Sequence, residues 1–476
     1  MLLYIIKKMA GVLPSNVSYF MQRLQGVSVS HFKVHPQTDG NQTSGKIVRF
    51  ELPSNTLLNL RGTRLFFNAN TAGVGTSMPN DVSSFIERCS VYMGGVLVQN
   101  GFQGYNVLKH AKAALVGSKC GATLGHPEIV RKVSYHNNST FTNVEPEKYL
   151  EDGTESFCID NWEGLLGTLE PSIIDTGLCP QITLEITLAD DTVCPISDGR
   201  VLPDGTAATA THFDKTGTGN PTYALTGMTL QCEVLGMATS VLDQIVEQRI
   251  ASVGYLSMPF KNYYTFVSTH NGTSRFNVNS ASWDRLWLAY RPTTYSTKSA
   301  PKIVNGYKKS GAFVDDISGQ TAADTDIGRP QYDIGGSGLL NTNTERYISN
   351  YFNFQEIESS ASVPSFFQLQ VNSANIPAYR MTTPEAYAMS MNSVDNYDKN
   401  HKITLDQYRN NFFVQCYRFC LPDSDYNRLA SGLDTRSVSS MCSLTTDNIA
   451  SCNLMIWAEC TSELRLGAGR AIEIIQ

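Results

Sequence analysis

The side chains best suited to chemistry are eight histidines, eleven cysteines and 43 carboxylates, and their spacing commits them to no reaction. A metal site needs ligands a few residues apart on one element or in paired clusters, because the ion must be touched from several sides at once. His31, His35, His110, His126, His136, His212, His270 and His401 are too scattered for that. They read as surface histidines or as core histidines with hydrogen-bond partners. No His-Glu-x-x-His, Gly-x-Ser-x-Gly or Gly-x-x-x-x-Gly-Lys run occurs, and Ser44-Gly45-Lys46 is only the tail of a phosphate loop. Leu466-Gly467-Ala468-Gly469-Arg470 is a fragment of a dinucleotide fingerprint, placed between strand-like segments rather than ahead of a helix. Catalytic residues, cofactor and metal are therefore all assigned as none.

The cysteines stand at 89, 120, 158, 179, 194, 232, 416, 420, 442, 452 and 460, an odd number with no Cys-x-x-Cys pair. They read as free thiols packed as small apolar groups. Cys416 and Cys420, expected on one face of a strand, are the pair with the strongest claim to a disulfide. Asn16, Asn41, Asn137, Asn138 and Asn271 open Asn-x-Ser/Thr patterns that would matter only on a glycosylated surface.

With no reaction in view, the elements themselves become the informative layer, and they occur twice. Arg49-Phe50-Glu51-Leu52 followed by Arg64-Leu65-Phe66-Phe67 is echoed by Arg275-Phe276-Asn277-Val278 and Arg285-Leu286-Trp287-Leu288. A strand, a small-residue turn and a helix then follow in each half. The first set runs from Cys89 to Val98 around Gly94-Gly95, with a helix from Tyr105 to Val116; the second runs from Phe367 to Pro377 around Ser373-Ala374-Asn375, with a helix from Pro384 to Met391. A repeat of roughly 220 residues exceeds any solenoid unit, so each copy must own a core.

Composition agrees with strands. Aromatics make up 10% of the chain, charged residues only 17%, and 36 glycines supply turns. Ile182 to Leu188 and Met228 to Val234 alternate apolar and polar positions, as half-buried strands of a sandwich do, and Cys452 to Ala458 is read as their counterpart in the second half. A formal net charge of −6 argues against a surface that coats nucleic acid over its whole area.

The apolar run Met1 to Ile6 ends in Lys7-Lys8, the reverse of a secretion signal and too short to span a bilayer. Residues 1–27 read as an arm, with Val17, Phe20, Met21 and Leu24 at helical spacing. Leu242, Ile245, Val246, Arg249 and Ile250, behind Ser240, predict a short linker helix over 241–252 between units at 28–240 and 253–476. Residues 191–221 and 296–345, rich in Thr, Gly, Asp and Ser, predict long loops decorating one end of each unit.

This layout resembles the double jelly-roll major capsid proteins of large eukaryotic DNA viruses, virophages and polinton-like viruses. The resemblance runs from about Val27 to the C-terminus. Phe157 to Trp162, Leu178-Cys179-Pro180-Gln181 and the strand from Ile182 are similar to the first-roll segment of that family. Tyr417-Arg418-Phe419, Pro422, Ser431-Gly432-Leu433-Asp434-Thr435-Arg436 are similar to its second-roll series, with Asp434 where Asn is usual. The resemblance implies an all-β chain of two tandem eight-stranded jelly-roll sandwiches with a few short helices. It further implies a non-enzymatic virion subunit whose homotrimers form pseudo-hexagonal capsomers and tile an icosahedral shell around DNA. The implied partners are neighbouring capsomers, penton and minor capsid proteins. An internal membrane or packaged DNA would meet the arm through Lys7, Lys8 and Arg23.

Two other classes stay open on the sequence. A carbohydrate-binding sandwich (lectin, adhesin or viral fibre) would use exposed aromatics such as Tyr263-Tyr264 and Trp283 as sugar platforms. A sandwich glycoside hydrolase would need two facing carboxylates, which spacing alone does not pair.

Overall fold

The computed structural model describes residues 28–38, 40–72, 79, 81–116, 156–194, 222–236, 246, 248–296, 302–304, 346–348, 350–360, 362–394, 405, 408–409, 412–421, 432–436 and 441–476. The arm with Lys7, Lys8 and Arg23, Cys120, and nearly all of the 191–221 and 296–345 stretches lie outside them.

In the first half the strands are β1 (Ser28–Val34), β2 (Gln42–Thr43), β3 (Ile47–Glu51), β4 (Leu57–Ala72), β5 (Ile86–Met93), β6 (Val96–Gln103), β7 (Ser156–Ile159), β8 (Ile173–Asp175), β9 (Ile182–Leu188) and β10 (Thr222–Gly236). They form two antiparallel sheets, β1-β10-β4-β7 and β3-β9-β5-β6, with β2 and β8 added to the first. Beyond Gly254 follow β11 (Tyr255–His270), β12 (Thr273–Asn277), β13 (Trp283–Arg291), β14 (Lys302–Val304), β15 (Arg346–Ile348), β16 (Phe366–Val371), β17 (Ala374–Thr382), β18 (Val414–Arg418), β19 (Met441–Asp447), β20 (Cys452–Gly467) and β21 (Ile472–Ile475). Their main sheets are β11-β20-β13-β18 and β12-β19-β16-β17.

These two orders are the same order. Taking the eight principal strands of each half in sequence, both halves place the first beside the eighth, third and sixth, and the second beside the seventh, fourth and fifth. That is the jelly-roll path, and the chain is an all-β double jelly roll. The duplicated Arg-Leu-aromatic strands fall on β4 and β13, and their preceding partners on β3 and β12.

Local chemistry explains the elements. β9 reads Ile-Thr-Leu-Glu-Ile-Thr-Leu; its aliphatics are buried, and Glu185 on the other face accepts from Arg49 Nε at 2.7 Å. The two-residue turns joining β5 to β6 and β16 to β17 both use two positive φ values, at Gly94 (57°) and Gly95 (84°) and at Asn372 (50°) and Ser373 (76°). Such a primed turn matches the twist of the flanking strands. The second turn therefore sits at Asn372-Ser373, one step earlier than the sequence reading placed it.

Helices follow at the equivalent point of each half, α1 (Tyr105–Val116) after β6 and α3 (Thr383–Ser393) after β17. A capping box starts α3, with Thr382 and Glu385 exchanging hydrogen bonds and Pro384 in the first turn. A single-turn α2 (Leu165–Thr168) follows β7. Residues 248–253 are helical ahead of β11, on the stretch predicted as a linker, while Leu242 and Ile245 lie outside the described residues. No helix among the described residues is long and apolar enough to cross a membrane.

The ten described cysteines are buried, and none forms a disulfide with another described cysteine. Cys420 lies beyond the end of β18, so it does not share a strand face with Cys416. Burial pushes the Cys89 thiol up to about 12 and holds Cys416 well above the usual thiol range, which keeps both protonated and unreactive.

Candidate functional site

A sandwich ordinarily buries one face of each sheet and wets the other. The second roll departs from this: all nine residues of β13 are buried. Pairing puts Lys261 and Tyr263 of β11, Trp457 and Glu459 of β20, and Arg285 and Trp287 of β13 on the face turned away from the roll's own core. The first roll covers that face, with α1, α2 and the end of β6.

Glu459, fully buried, is the hub of this junction. Its carboxylate meets Lys261 Nζ at 2.7 Å, Arg285 Nη1 at 3.3 Å and Lys112 Nζ of α1 at 3.7 Å, and accepts from Trp287 Nε1 at 2.8 Å. Lys112 is shared with Glu163 of the first roll at 2.7 Å and donates to the Tyr263 hydroxyl at 2.6 Å. Tyr263 in turn donates to Glu163 at 3.1 Å. The Lys112 ammonium also lies 5.6 Å from the Trp287 ring centre. Burial alone would push the Glu459 carboxyl up, but Lys261, Lys112 and Arg285 outweigh it and hold the group well below the usual carboxylate range.

Backbone contacts stitch the same seam. Trp457 Nε1 donates to the Gln103 carbonyl at 3.2 Å, Lys261 N to Thr168 Oγ1 at 2.9 Å and Glu170 N to the Pro259 carbonyl at 3.0 Å. Gly104, at φ 72°, lets the chain turn into α1 directly against Met455. The junction is thus closed, buried and polar at its centre, a geometry suited to fixing the angle between two rolls rather than to admitting a substrate.

Asp284, next to Arg285, is the buried carboxylate held in the opposite direction. It accepts from Ser282 Oγ at 2.8 Å and Thr461 Oγ1 at 2.5 Å, yet burial pushes its carboxyl up to about 6. A carboxyl raised above its unfolded value of about 4 holds its proton more tightly when folded, so its contribution to stability is full below pH 4 and is lost as pH rises through 6. Asp284→Asn should remove this slope: its stability deficit against wild type, read from urea midpoints, is expected to be larger at pH 4 than at pH 7.

Of the histidines, His110 and His270 have hydrogen-bond partners within the fold, His31 and His35 are exposed, and His126, His136, His212 and His401 lie outside the described residues. His110 pairs with Ser84 Oγ at 2.8 Å and stacks on Phe352, and burial pushes it down to about 4. His270 sits between Ser274 and Thr446, each at 2.7 Å. Among the described residues no group of three His, Cys, Asp or Glu is placed to hold a metal ion. The aromatics offered as sugar platforms are corrected: Trp283 and Tyr263 are 0% and 1% exposed, consumed by packing and by the junction, and Tyr264 is half-buried.

No motif in the sequence marks this cluster as a site. A trace of it stands in single strands: Lys261 follows Phe260 in a strand rich in aromatics, and Glu459 ends the apolar run Leu454 to Ala458. What pairs them is separated by up to several hundred residues of chain.

No protein-family model matches the sequence, and no curated protein does. Among solved structures, the PBCV-1 virus capsid, as a quasi-atomic model, is similar with a TM-score of 0.49 at 12% identity, over 95% of this chain and 97% of that one. The Faustovirus major capsid protein has a TM-score of 0.45 at 10% identity, over 95% and 94%. The mavirus major capsid protein has a TM-score of 0.41 at 9% identity, over 93% and 89% of the two chains.

Proposed function

We propose that this chain is a viral major capsid protein, a structural subunit found in the virion rather than an enzyme. The observation that carries the reading is the repeated strand order of the two rolls, joined through a buried ionic junction into one block. Each jelly roll closes most of its sheet edges internally, so blocks can stand side by side without open-ended strand pairing. Two similar rolls per chain let three chains close a ring of six near-equivalent walls through heterologous contacts, a tile for an icosahedral shell around a DNA genome. In this reading residues 28–240 and 253–476 are the rolls, 241–252 the linker, and the 1–27 arm meets minor proteins, an internal membrane or DNA at the inner surface.

Native mass measurement tests it. The expected species is a homotrimer of the 52.4 kDa chain. A protein that stays monomeric at every concentration and salt condition overturns the reading.

A further inference from the structure

The segment from Gly432 to Arg436 lies across the head of β13 as a strap. Three of its amides are tied down: Leu433 N donates to the Trp283 carbonyl at 2.9 Å, Thr435 N to the Ser280 carbonyl at 2.8 Å and Gly432 N to Ser282 Oγ at 2.7 Å. Leu433, Asp434 and Arg436 are exposed, and the last two pair with each other at 2.8 Å. Trp283, bridged to the strap, is fully buried.

At the same point β13 carries a bulge. Trp283 pairs with Cys460 and Arg285 with Glu459, so Asp284 is an extra residue on its strand, and a bulge re-aims the side chain it carries. The Asp284 carboxyl turns to Ser282 Oγ and Thr461 Oγ1, and a Cβ on Gly432 would stand 2.7 Å from its Oδ1. The strap backbone is therefore one wall of the space that encloses this carboxyl. The two are also joined by a relay, in which the Gly432 N–H donates to Ser282 Oγ and the Ser282 hydroxyl donates to Asp284.

The charges around Asp284 do not relieve it. Glu459 of β20 and Lys261 of β11 act on it in opposite senses, and the nearby thiols of Cys420 and Cys460 are buried. Arg285, its neighbour on β13, and Lys261 both direct an ion pair to Glu459. Ionised, Asp284 is thus a fully buried charge served by two hydroxyls. Protonated, it keeps both contacts, because a hydroxyl accepts as well as donates, and Ser282 Oγ still has a lone pair for the Gly432 N–H.

We propose that the 432–436 strap is a proton-controlled latch, shut across β13 while Asp284 carries its proton and lifted from Trp283 when Asp284 ionises and water enters its enclosure. The inference stands apart from the capsid reading and holds whatever the block assembles into. Burial pushes the Asp284 carboxyl up to about 6, against about 4 in water. A group raised in this way favours the closed form below its value in water and withdraws that support as pH rises through 6. The balance of open to closed strap should accordingly move about tenfold toward open between pH 5 and pH 8.

The test is hydrogen–deuterium exchange of the full-length chain read by mass spectrometry, with rates corrected for the intrinsic pH dependence of amide exchange. In the wild type the peptide that carries residues 432–436 is expected to open about tenfold more at pH 8 than at pH 5, while β9 keeps one protection throughout. Asp284→Asn has the same shape without the charge and should hold the strap shut at both values. An Asp284→Asn chain that still opens with rising pH overturns the latch. So does a wild type whose strap is equally protected at pH 5 and pH 8, or changes only in step with β9, and that outcome is read without any variant.

Discussion

Glu459→Gln is expected to destabilise the folded chain by roughly 3–5 kcal/mol, the scale seen when one member of a buried ion pair is removed. The amide keeps the shape of the carboxylate but withdraws the charge that Lys261, Lys112 and Arg285 share. Glu163 remains as the nearer counter-charge of Lys112, at 2.7 Å. Urea unfolding checks the size of the loss. A change under about 1 kcal/mol would show that water reaches the seam and that the ions are screened.

The same substitution has a pH signature. The folded carboxyl of Glu459 is held below its unfolded value of about 4.3, so its stabilisation is fully present above that pH and is lost as pH falls toward the folded value. The gap between wild type and Glu459→Gln should accordingly be widest at neutral pH and should narrow below pH 4. A double-mutant cycle with Lys112→Met separates the part of the loss that crosses between the rolls from the part internal to the second roll. Replacing such clusters with apolar residues often costs little in stability, so their value here lies in geometry: an ionic hub is satisfied at one relative placement of the rolls, where a greasy seam would tolerate several.

Strand identity was legible because it depends on neighbours in sequence. Alternation in Ile182 to Leu188 and the Arg-Leu-aromatic repeats at 64 and 285 each declare a pleated segment with one buried face, and the repeat itself declares that the path is followed twice. The helix from Tyr105 to Val116 was legible for the same reason. The junction was not, because its logic is tertiary. Trp283 and Tyr263 read as exposed aromatics when only their own strand is considered, and become buried once the opposing roll and the 432–436 segment arrive. Cys420 was misplaced because β18 stops at Arg418, where the chain turns to donate from Phe419 and Cys420 to the Asp284 carbonyl. That ending is dictated by a distant strand rather than by the local run Val414 to Cys420.

Gly432→Ala is expected to cost about 1–3 kcal/mol, as added atoms in packed sites do, and to release the segment it belongs to. Here the motif noted in the sequence acquires its physical cause. Leu433 pairs with Trp283 through two backbone hydrogen bonds of 2.9 Å, and Gly432 N donates to Ser282 Oγ at 2.7 Å. Thr435 closes the clamp, exchanging bonds with Ser280. A Cβ at position 432 would fall onto the carbonyl oxygen of Trp283, a backbone atom at the head of β13 that cannot swing aside. The strand behind it carries Arg285 and Trp287 into the junction, so the strain is transmitted to the roll-to-roll seam. Because Trp283 lies against this clamp and Trp287 lies in the seam, intrinsic tryptophan fluorescence should shift to the red in the variant at urea concentrations where the wild type is still folded. A Gly432→Ala chain with unchanged fluorescence and midpoint would mean that the 432–436 segment can lift from β13 without cost, and the clamp would then be incidental to the fold.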